Sequence, residues 1–571
     1  MTTWFADLKS SFADQSARSE SGVGLNGVLG IALAVGLGAV IFEGLALSAC
    51  RIWVTPDSMA YVSLAIGLAE RLDFHQELFA FRLPGYPLLL ALVFSVFGPG
   101  SPTVILVIQH AMVGGCAVLG VLLAWTLWPA RLFCAAVGVF SLASLHLSGY
   151  ANALLTEVPY AFLLTLCVFL LARHNARGGM GTLTGASLAA AGAALTKDIG
   201  LLMVPLCAAV AMARAWRTAG NRRDCVTASA LAILHPPPGM RLWQAVRSLP
   251  TALVPAAVLL SPLVYHNYAT FGKLQLTING GMMLYLRAGC LEGMDSQRSE
   301  AVAAIRTAVE RAQAEGQLDP TATHHEYLSV VRACLRMYDA EGAIFASPAM
   351  AKVSDLLRRA GMDLIREHPW QVVQGTLLDG YRMLMVPDNG YRMQPGAPTG
   401  PGRLSADSIL SGVDTYAASV VERIGTVTTD KYLPISNESR AATPHWSAMT
   451  SWYHRRIEQG TPILGLSDTP YEEFVLLWVL GAASSMMLRQ RTSWLMVDAV
   501  IAYHVLGAAF CGGVQPRYAV PLQPLMHVLS AVPVAFGVLG LLAAWRGVCV
   551  RLLSGNASTA RFTGTCRSPV P

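Results

Sequence analysis

The sequence predicts an all-α polytopic membrane protein. Three observations carry that prediction. Of its 571 residues, 54% are hydrophobic and only 13% are charged, against about 25% charged in a typical soluble domain. The mean hydropathy is +0.47. Apolar runs long enough to cross a bilayer recur along the chain, and the short breaks between them carry arginine. A water-soluble chain of this balance would expose large apolar patches.

Residues 1–24 are polar, and the apolar run over 25–50 is too long for the core of a cleavable leader, so it reads as a retained first span. The chain then skirts the membrane over 51–100. Thr55 suits a helix cap, Pro56 its first position and Asp57 its first turn, with Tyr61 on the same face. Leu88 to Val96 is apolar but too short to cross as a standard helix, which fits a re-entrant or interfacial helix. Spans follow over 102–127, 132–149 and 158–172. Residues 183–213 are broken by Thr196-Lys197-Asp198, so they read either as two helices meeting at the far side or as one tilted span with a buried pair. Another span runs over 249–267. The stretch 268–471 is polar. Its 300–368 part repeats apolar residues every three to four positions, as amphipathic helices do. Residues 370–386 are amphiphilic and suit membrane contact, whereas 387–465 are rich in Pro, Gly, Ser, Thr and Asn. Three last spans, 472–488, 493–510 and 519–545, bring the total to about ten.

Orientation comes from charge. Residues 214–247 hold Arg214, Arg217, Arg222, Arg223, Arg241 and Arg247 against Asp224 alone, which places that loop in the cytoplasm. Counting spans outward, Arg131 and Arg173 fall inside, and Asp57, Glu157 and Lys197 fall outside. The expected organisation is a cytoplasmic segment 1–24, an N-terminal transmembrane module 25–267, a mainly extracytoplasmic region 268–471, a C-terminal transmembrane module 472–545 and a cytoplasmic tail 546–571.

The net charge of +6 follows from such loops and does not call for nucleic acid. The eleven cysteines form no C-x-x-C pair. Most lie in apolar runs as small hydrophobes, and Cys290 and Cys334 leave a disulfide open in the polar region. There is no phosphate-binding glycine loop and no H-E-x-x-H helix. His324-His325-Glu326 puts its two histidines on different faces of a helix and reads as solvated. No metal site is expected. A divalent cation between Asp57 and Glu157 has only those two carboxylates to support it, and no cofactor is assigned.

What the breaks place on one side is a set of chemistry-bearing residues: Asp57, Arg82, Glu157, Lys197, His266 and Arg517. A carboxylate such as Asp57 takes a proton from an attacking hydroxyl when within hydrogen-bond reach. Arg82, Lys197 and Arg517 suit phosphate oxygens and the charge that develops on a phosphate leaving group. Together they suggest group transfer from a phosphate-bearing lipid. Each has a plainer reading. Asp57 stabilises a helix start, Arg82 and Arg517 snorkel to headgroups, Glu157 caps a helix, and Lys197 pairs locally with Asp198.

The order of landmarks resembles the GT-C membrane glycosyltransferases of the protein mannosyltransferase and aminoarabinose-transferase-like group. The first outside loop carries Pro56-Asp57-Ser-Met-Ala-Tyr61 and then Arg82-Leu-Pro-Gly-Tyr-Pro87. Thr156-Glu157-Val-Pro-Tyr160 is similar to the group's second acidic motif, and Leu195-Thr-Lys-Asp-Ile-Gly200 to its short basic break. His266-Asn-Tyr-Ala-Thr-Phe-Gly272 is similar to a segment that usually begins with Arg. Gln515-Pro-Arg-Tyr518 and His368-Pro369 complete the set. Ser58, Lys197-Asp198 and His266 depart from the usual pattern, and 285–365 and 387–465 match poorly.

The resemblance implies a GT-C-like transmembrane bundle with juxtamembrane helices and a large extracytoplasmic region, in the cytoplasmic (inner) membrane. It implies a polyprenyl-phosphate-linked sugar donor and an envelope lipid, glycan or protein acceptor. Asp57 would be the base of an inverting displacement and Glu157 an acceptor-orienting or second catalytic carboxylate. Arg82, Lys197 and Arg517 would contact the donor phosphate. Tyr61, Tyr86, His266, Asn267, Tyr268 and Tyr518 would position substrate. The rival readings are a polyprenyl-lipid or glycan transporter and a noncatalytic envelope-assembly subunit.

Overall fold

Among the described residues helices account for nearly all the regular structure, and in the apolar blocks this follows because in lipid every backbone donor and acceptor must be met within its own segment. The architecture is taken from a computed structural model, which describes residues 23–49, 56–73, 79, 82–98, 101–143, 145–221, 238–277, 279–338, 349–385, 470–485, 488, 491–512 and 520–559. No strand occurs among them. The protein is an all-α, multi-pass chain.

The N-terminal block begins with α1 (Val23–Ala49), α2 (Pro56–Arg71), α3 (Gly85–Phe97) and α4 (Pro102–Leu127). It continues with α5 (Arg131–Ala143), α6 (Leu145–Tyr150), α7 (Glu157–Arg177) and α8 (Met180–Thr196). A 3₁₀ turn at Asp198–Leu202 leads into α9 (Met203–Asn221), and α10 (Pro238–Phe271) closes the block. α1, α4, α7, α8 and α10 pack as successive neighbours, with α9 against α10 and α5 laid across α1 and α4. Their apolar faces merge into one core that also takes in the last helices.

The polar middle is helical where described, as the three-to-four periodicity predicts. It contains α11 (Gly280–Tyr285), a π-turn at Leu286–Leu291, α12 (Glu300–Ala314), α13 (Tyr327–Arg336) and α14 (Ala349–Glu367). These share a core of their own around Tyr285, Ile305, Val331, Cys334 and Leu357. Cys290 and Cys334 are both free thiols. His368 sits at the junction to α15 (Pro369–Met385), which packs beside α17 (Arg491–Gly512) while leaving Trp370, Leu377 and Leu378 exposed. α16 (Pro470–Ser485) and α18 (Gln523–Thr559) complete the chain.

The span count differs from the sequence expectation. Seven helices among the described residues are long and apolar enough to cross a membrane. Within the described residues, three of the expected ten are shorter than that. The expected span 132–149 is α5 followed by the six-residue α6. The 183–213 stretch is a hairpin whose first arm, α8, has 17 residues. α16 has 16. The extended Lys197 ends α8 and cuts an apolar run that hydropathy alone joins. The short α3, with 13 residues, is as expected: it reaches about 20 Å, well under the hydrocarbon thickness.

Candidate active site at one end of the bundle

Pro56 begins α2 and places Asp57 in its first turn, where the helix dipole favours a carboxylate. Arg82 lies in the approach to α3, and its Nη2 donates to Asp57 Oδ1 at 2.5 Å. The guanidinium carbon stands 5.6 Å from the centre of the Tyr61 ring. Tyr61 meets Tyr86 edge to face at 5.4 Å. Burial pushes the Tyr61 phenol up to about 12, against the pull of Arg82; the fields of Asp57 and Glu157 add to the rise, and a hydrogen bond with Thr156 opposes it. Tyr61 therefore lies within the fields of both acidic landmarks.

The second half comes from α7 and the hairpin. Glu157 opens α7 and is almost wholly buried. Lys197 ends α8 in an extended conformation, φ −142° and ψ 132°, and donates to Glu157 Oε1 at 3.0 Å. It does not pair with Asp198, whose carboxylate instead accepts from the Ile199 amide at 2.9 Å. The chain doubles back tightly here: a Cβ on Gly200 would lie 2.6 Å from the Ala193 carbonyl carbon. α17 braces the turn through Tyr503, whose hydroxyl donates to the Ile199 carbonyl at 2.8 Å. Glu157 Oε2 is buried and has no hydrogen-bond partner among the described residues.

Gly85 joins the halves. A Cβ at this position would lie 2.7 Å from the Leu195 carbonyl group, so only glycine lets α3 rest on the end of α8. That contact sets Arg82 beside Lys197's turn.

Beneath the site lies a buried polar frame that the landmarks did not indicate. Tyr86 donates to Gln109 Oε1 at 2.8 Å. The Gln109 amide nitrogen donates to the carbonyls of Ala151 and Ala153, both at 2.8 Å. Next to it, His110 Nδ1 meets Glu43 Oε2 at 2.6 Å, and Ser148 donates to Glu43 Oε1 at 2.6 Å. These bonds pin the 148–153 segment that delivers Glu157. The available signal was polar residues in the middle of apolar runs, Glu43 in the first span and Gln109-His110 in the second.

The remaining expected residues fall differently. Asn267 is fully buried, and its amide nitrogen donates to the carbonyls of Gln275 at 2.8 Å and Leu276 at 2.9 Å; it shapes the exit from α10. His266 is half-buried and Tyr268 exposed at the same helix end. Leu263 and Leu276, on either side, share the apolar cluster of Tyr61 and Tyr86. Arg517, Tyr518 and the cap residue Thr55 lie outside the described residues. Among those described, no group of three or more His, Cys, Asp or Glu is placed to hold a metal. Asp57 and Glu157 each already face a cationic side chain. His325 Nδ1 bonds the Gly289 carbonyl at 2.7 Å, and His324 lies 3.6 Å from Asp295.

The fold and the site together define a multi-pass helical membrane protein with two carboxylate–cation pairs gathered at one end of its bundle. No family model matches the chain, and no curated protein is similar to it by sequence. Among solved structures the chain is similar to the crystal structure of ArnT from Cupriavidus metallidurans bound to undecaprenyl phosphate. The identity is 13%, the match covers 88% of this chain and 77% of that one, and the TM-score is 0.30.

Proposed function

We propose that the protein transfers a sugar from a polyprenyl-phosphate carrier to an envelope acceptor at the extracytoplasmic face, with inversion. The observation that carries this reading is the meeting of the Asp57–Arg82 and Glu157–Lys197 pairs around Tyr61, at the head of a helix open to lipid. Leu88, Leu92 and Val96, spaced one turn apart on α3, are all exposed, which provides an apolar track for an isoprenoid tail below a cationic head.

Arg82 is shared in this scheme. Before the donor binds it neutralises Asp57. A donor phosphate competes for the guanidinium, which suits phosphate oxygens through its fork of N–H groups. The Asp57 carboxylate then takes the acceptor's hydroxyl proton. The acceptor oxygen attacks the anomeric carbon, the bond from that carbon to the phosphate oxygen breaks, and the electron pair leaves on the polyprenyl phosphate. Arg82 and Lys197 stabilise that charge. The unpartnered Glu157 oxygen accepts from a second acceptor hydroxyl, which fixes its orientation. Arg517 and Tyr518 remain proposed donor contacts, and His266 and Tyr268 proposed acceptor contacts.

The test is transfer by purified wild type and D57N from labelled polyprenyl-phosphate sugars to envelope acceptors. Loss of a general base lowers the rate by about 10²–10⁴-fold. Full activity in D57N would sink the assignment of Asp57. Movement of the lipid without covalent transfer would favour a transporter.

A further inference from the structure

The opposite end of the bundle holds a second cationic feature that sugar transfer does not use. Two arginines on α9, Arg214 and Arg217, converge on one residue, Asn175 near the end of α7. Arg214 Nη1 donates to the Asn175 carbonyl, and Arg217 Nη2 to its side-chain oxygen. Arg217 also donates to Thr492 Oγ1 at 3.0 Å and to the Ala213 carbonyl at 3.2 Å. Asn175 is itself fixed, donating to Ser493 Oγ at 2.6 Å. Three helices, α7, α9 and α17, thus hold two guanidiniums side by side.

Every one of these partners is uncharged. Among the described residues neither arginine pairs with a carboxylate. Like charges repel, so holding two together on neutral acceptors favours an anion between them. The seat also has a steric requirement. Gly178 adopts φ +81°, and a Cβ there would lie 2.8 Å from Arg214 Nη2; glycine leaves the guanidinium its place.

The surroundings identify the source of the anion. Trp216, between the two arginines in sequence, is 44% exposed, and Trp243, before the membrane-crossing part of neighbouring α10, is 61% exposed. Exposed tryptophans at the ends of membrane-crossing helices mark headgroup level. Leu242 and Met180 at the same end are also exposed. A soluble anion gains nothing from this apolar skirt, whereas a phospholipid places its phosphate on the arginines and its upper chains against it.

We propose that Arg214 and Arg217, seated on Asn175 and Thr492, bind the phosphate headgroup of an anionic membrane lipid in the leaflet at that end of the bundle. The site is independent of the proposed transfer reaction. Its test uses the full-length chain in detergent, titrated with phosphatidylglycerol, phosphatidylcholine or inorganic phosphate and read by native mass spectrometry and melting temperature. Wild type should prefer phosphatidylglycerol to phosphatidylcholine by about thirtyfold, the combined pull of two arginines at a charged surface. R214Q/R217Q should bring the two lipids within about twofold. Equal binding of both lipids by wild type overturns the proposal, as does a folded R214Q/R217Q that keeps the preference. Inorganic phosphate competing as effectively as the lipid also overturns it. Should R214Q/R217Q misfold, T492V removes one of the neutral acceptors that seat Arg217, along with a long contact from Asn175. A fall in preference of about threefold or more then supports the site, and an unchanged preference overturns it.

Discussion

Among the described residues, Arg82 keeps about a third of its side chain in solvent and faces the Asp57 carboxylate, whereas Arg287 is 0% exposed and faces two carboxylates. Arg287 sits in the π-turn after α11, where it pairs with Glu292, with Asp379 of α15 at 2.5 Å and with the Ala509 carbonyl of α17 at 3.2 Å. It ties the middle region to the last membrane helices. Gly375 of α15 presses against the same guanidinium, with no space for a larger residue. The two arginines show how the same pairing serves different ends. A cation locked among buried partners holds parts of a fold together, because releasing it would strand charge. A half-open cation at the surface exchanges a partner at little cost.

The largest test of this contrast is R287M. It strands two mostly buried carboxylates, and the expected loss is about 3–5 kcal/mol, read as a marked fall in melting temperature in detergent. A variant as stable as wild type would erase the distinction. K197M should come next, at about 3 kcal/mol, since it leaves the buried Glu157 without its cationic partner. The double variant E157Q/K197M should recover at least half of that loss. A double-mutant cycle that finds no coupling would show the pair to be incidental. R82M should cost no more than about 1 kcal/mol of stability while lowering donor kcat/KM at least about tenfold. The reverse pattern, a destabilised but fully active protein, would place Arg82 with Arg287.

The smallest effect belongs to a partly exposed pair, Asp295 with Arg306, at 2.6 Å. Burial tends to raise the Asp295 carboxyl, but hydrogen bonds from Arg306 and the Ser296 amide and the Arg306 charge outweigh it, and the group is held below its ordinary value. A depressed folded value means that the stability it contributes is present above the ordinary carboxylate range and is lost as pH falls through the folded one. Solvent screening keeps that contribution small. D295N should therefore shift the acid limb of a melting curve, recorded from about pH 6 to about pH 3, by no more than about 2 °C. A larger shift would mean that exposure is a poor guide to these pairs.

The all-α, multi-pass character was legible because hydropathy reports it directly. The span count was not. A break such as Lys197 changes how deep a helix reaches without changing how apolar it is. At the site, Asp57, Arg82, Tyr61, Tyr86, Glu157 and Lys197 each stand at the polar edge of an apolar run, and the structure gathers them. Asn267 stood at such an edge too, yet its amide nitrogen is spent on two backbone carbonyls. Sequence cannot distinguish an amide that meets substrate from one that meets its own chain. Glu43, Gln109 and His110 were hidden for a different reason: one polar residue in a long apolar run barely alters its average. Arg287 lies in the stretch where landmarks are poorest, and its partners come from α15 and α17, far away in the chain.

The contact at Gly85 has a consequence for what kind of change the site tolerates. It is backbone against backbone, so the separation of the two halves is a hard stop, independent of any rotamer. Side chains around it are free to vary in charge and size, retuning what is held, while the gauge between the acidic pairs stays the same. At position 85 a single added methyl acts as a wedge against the Leu195 backbone, and it would move an entire helix rather than one atom.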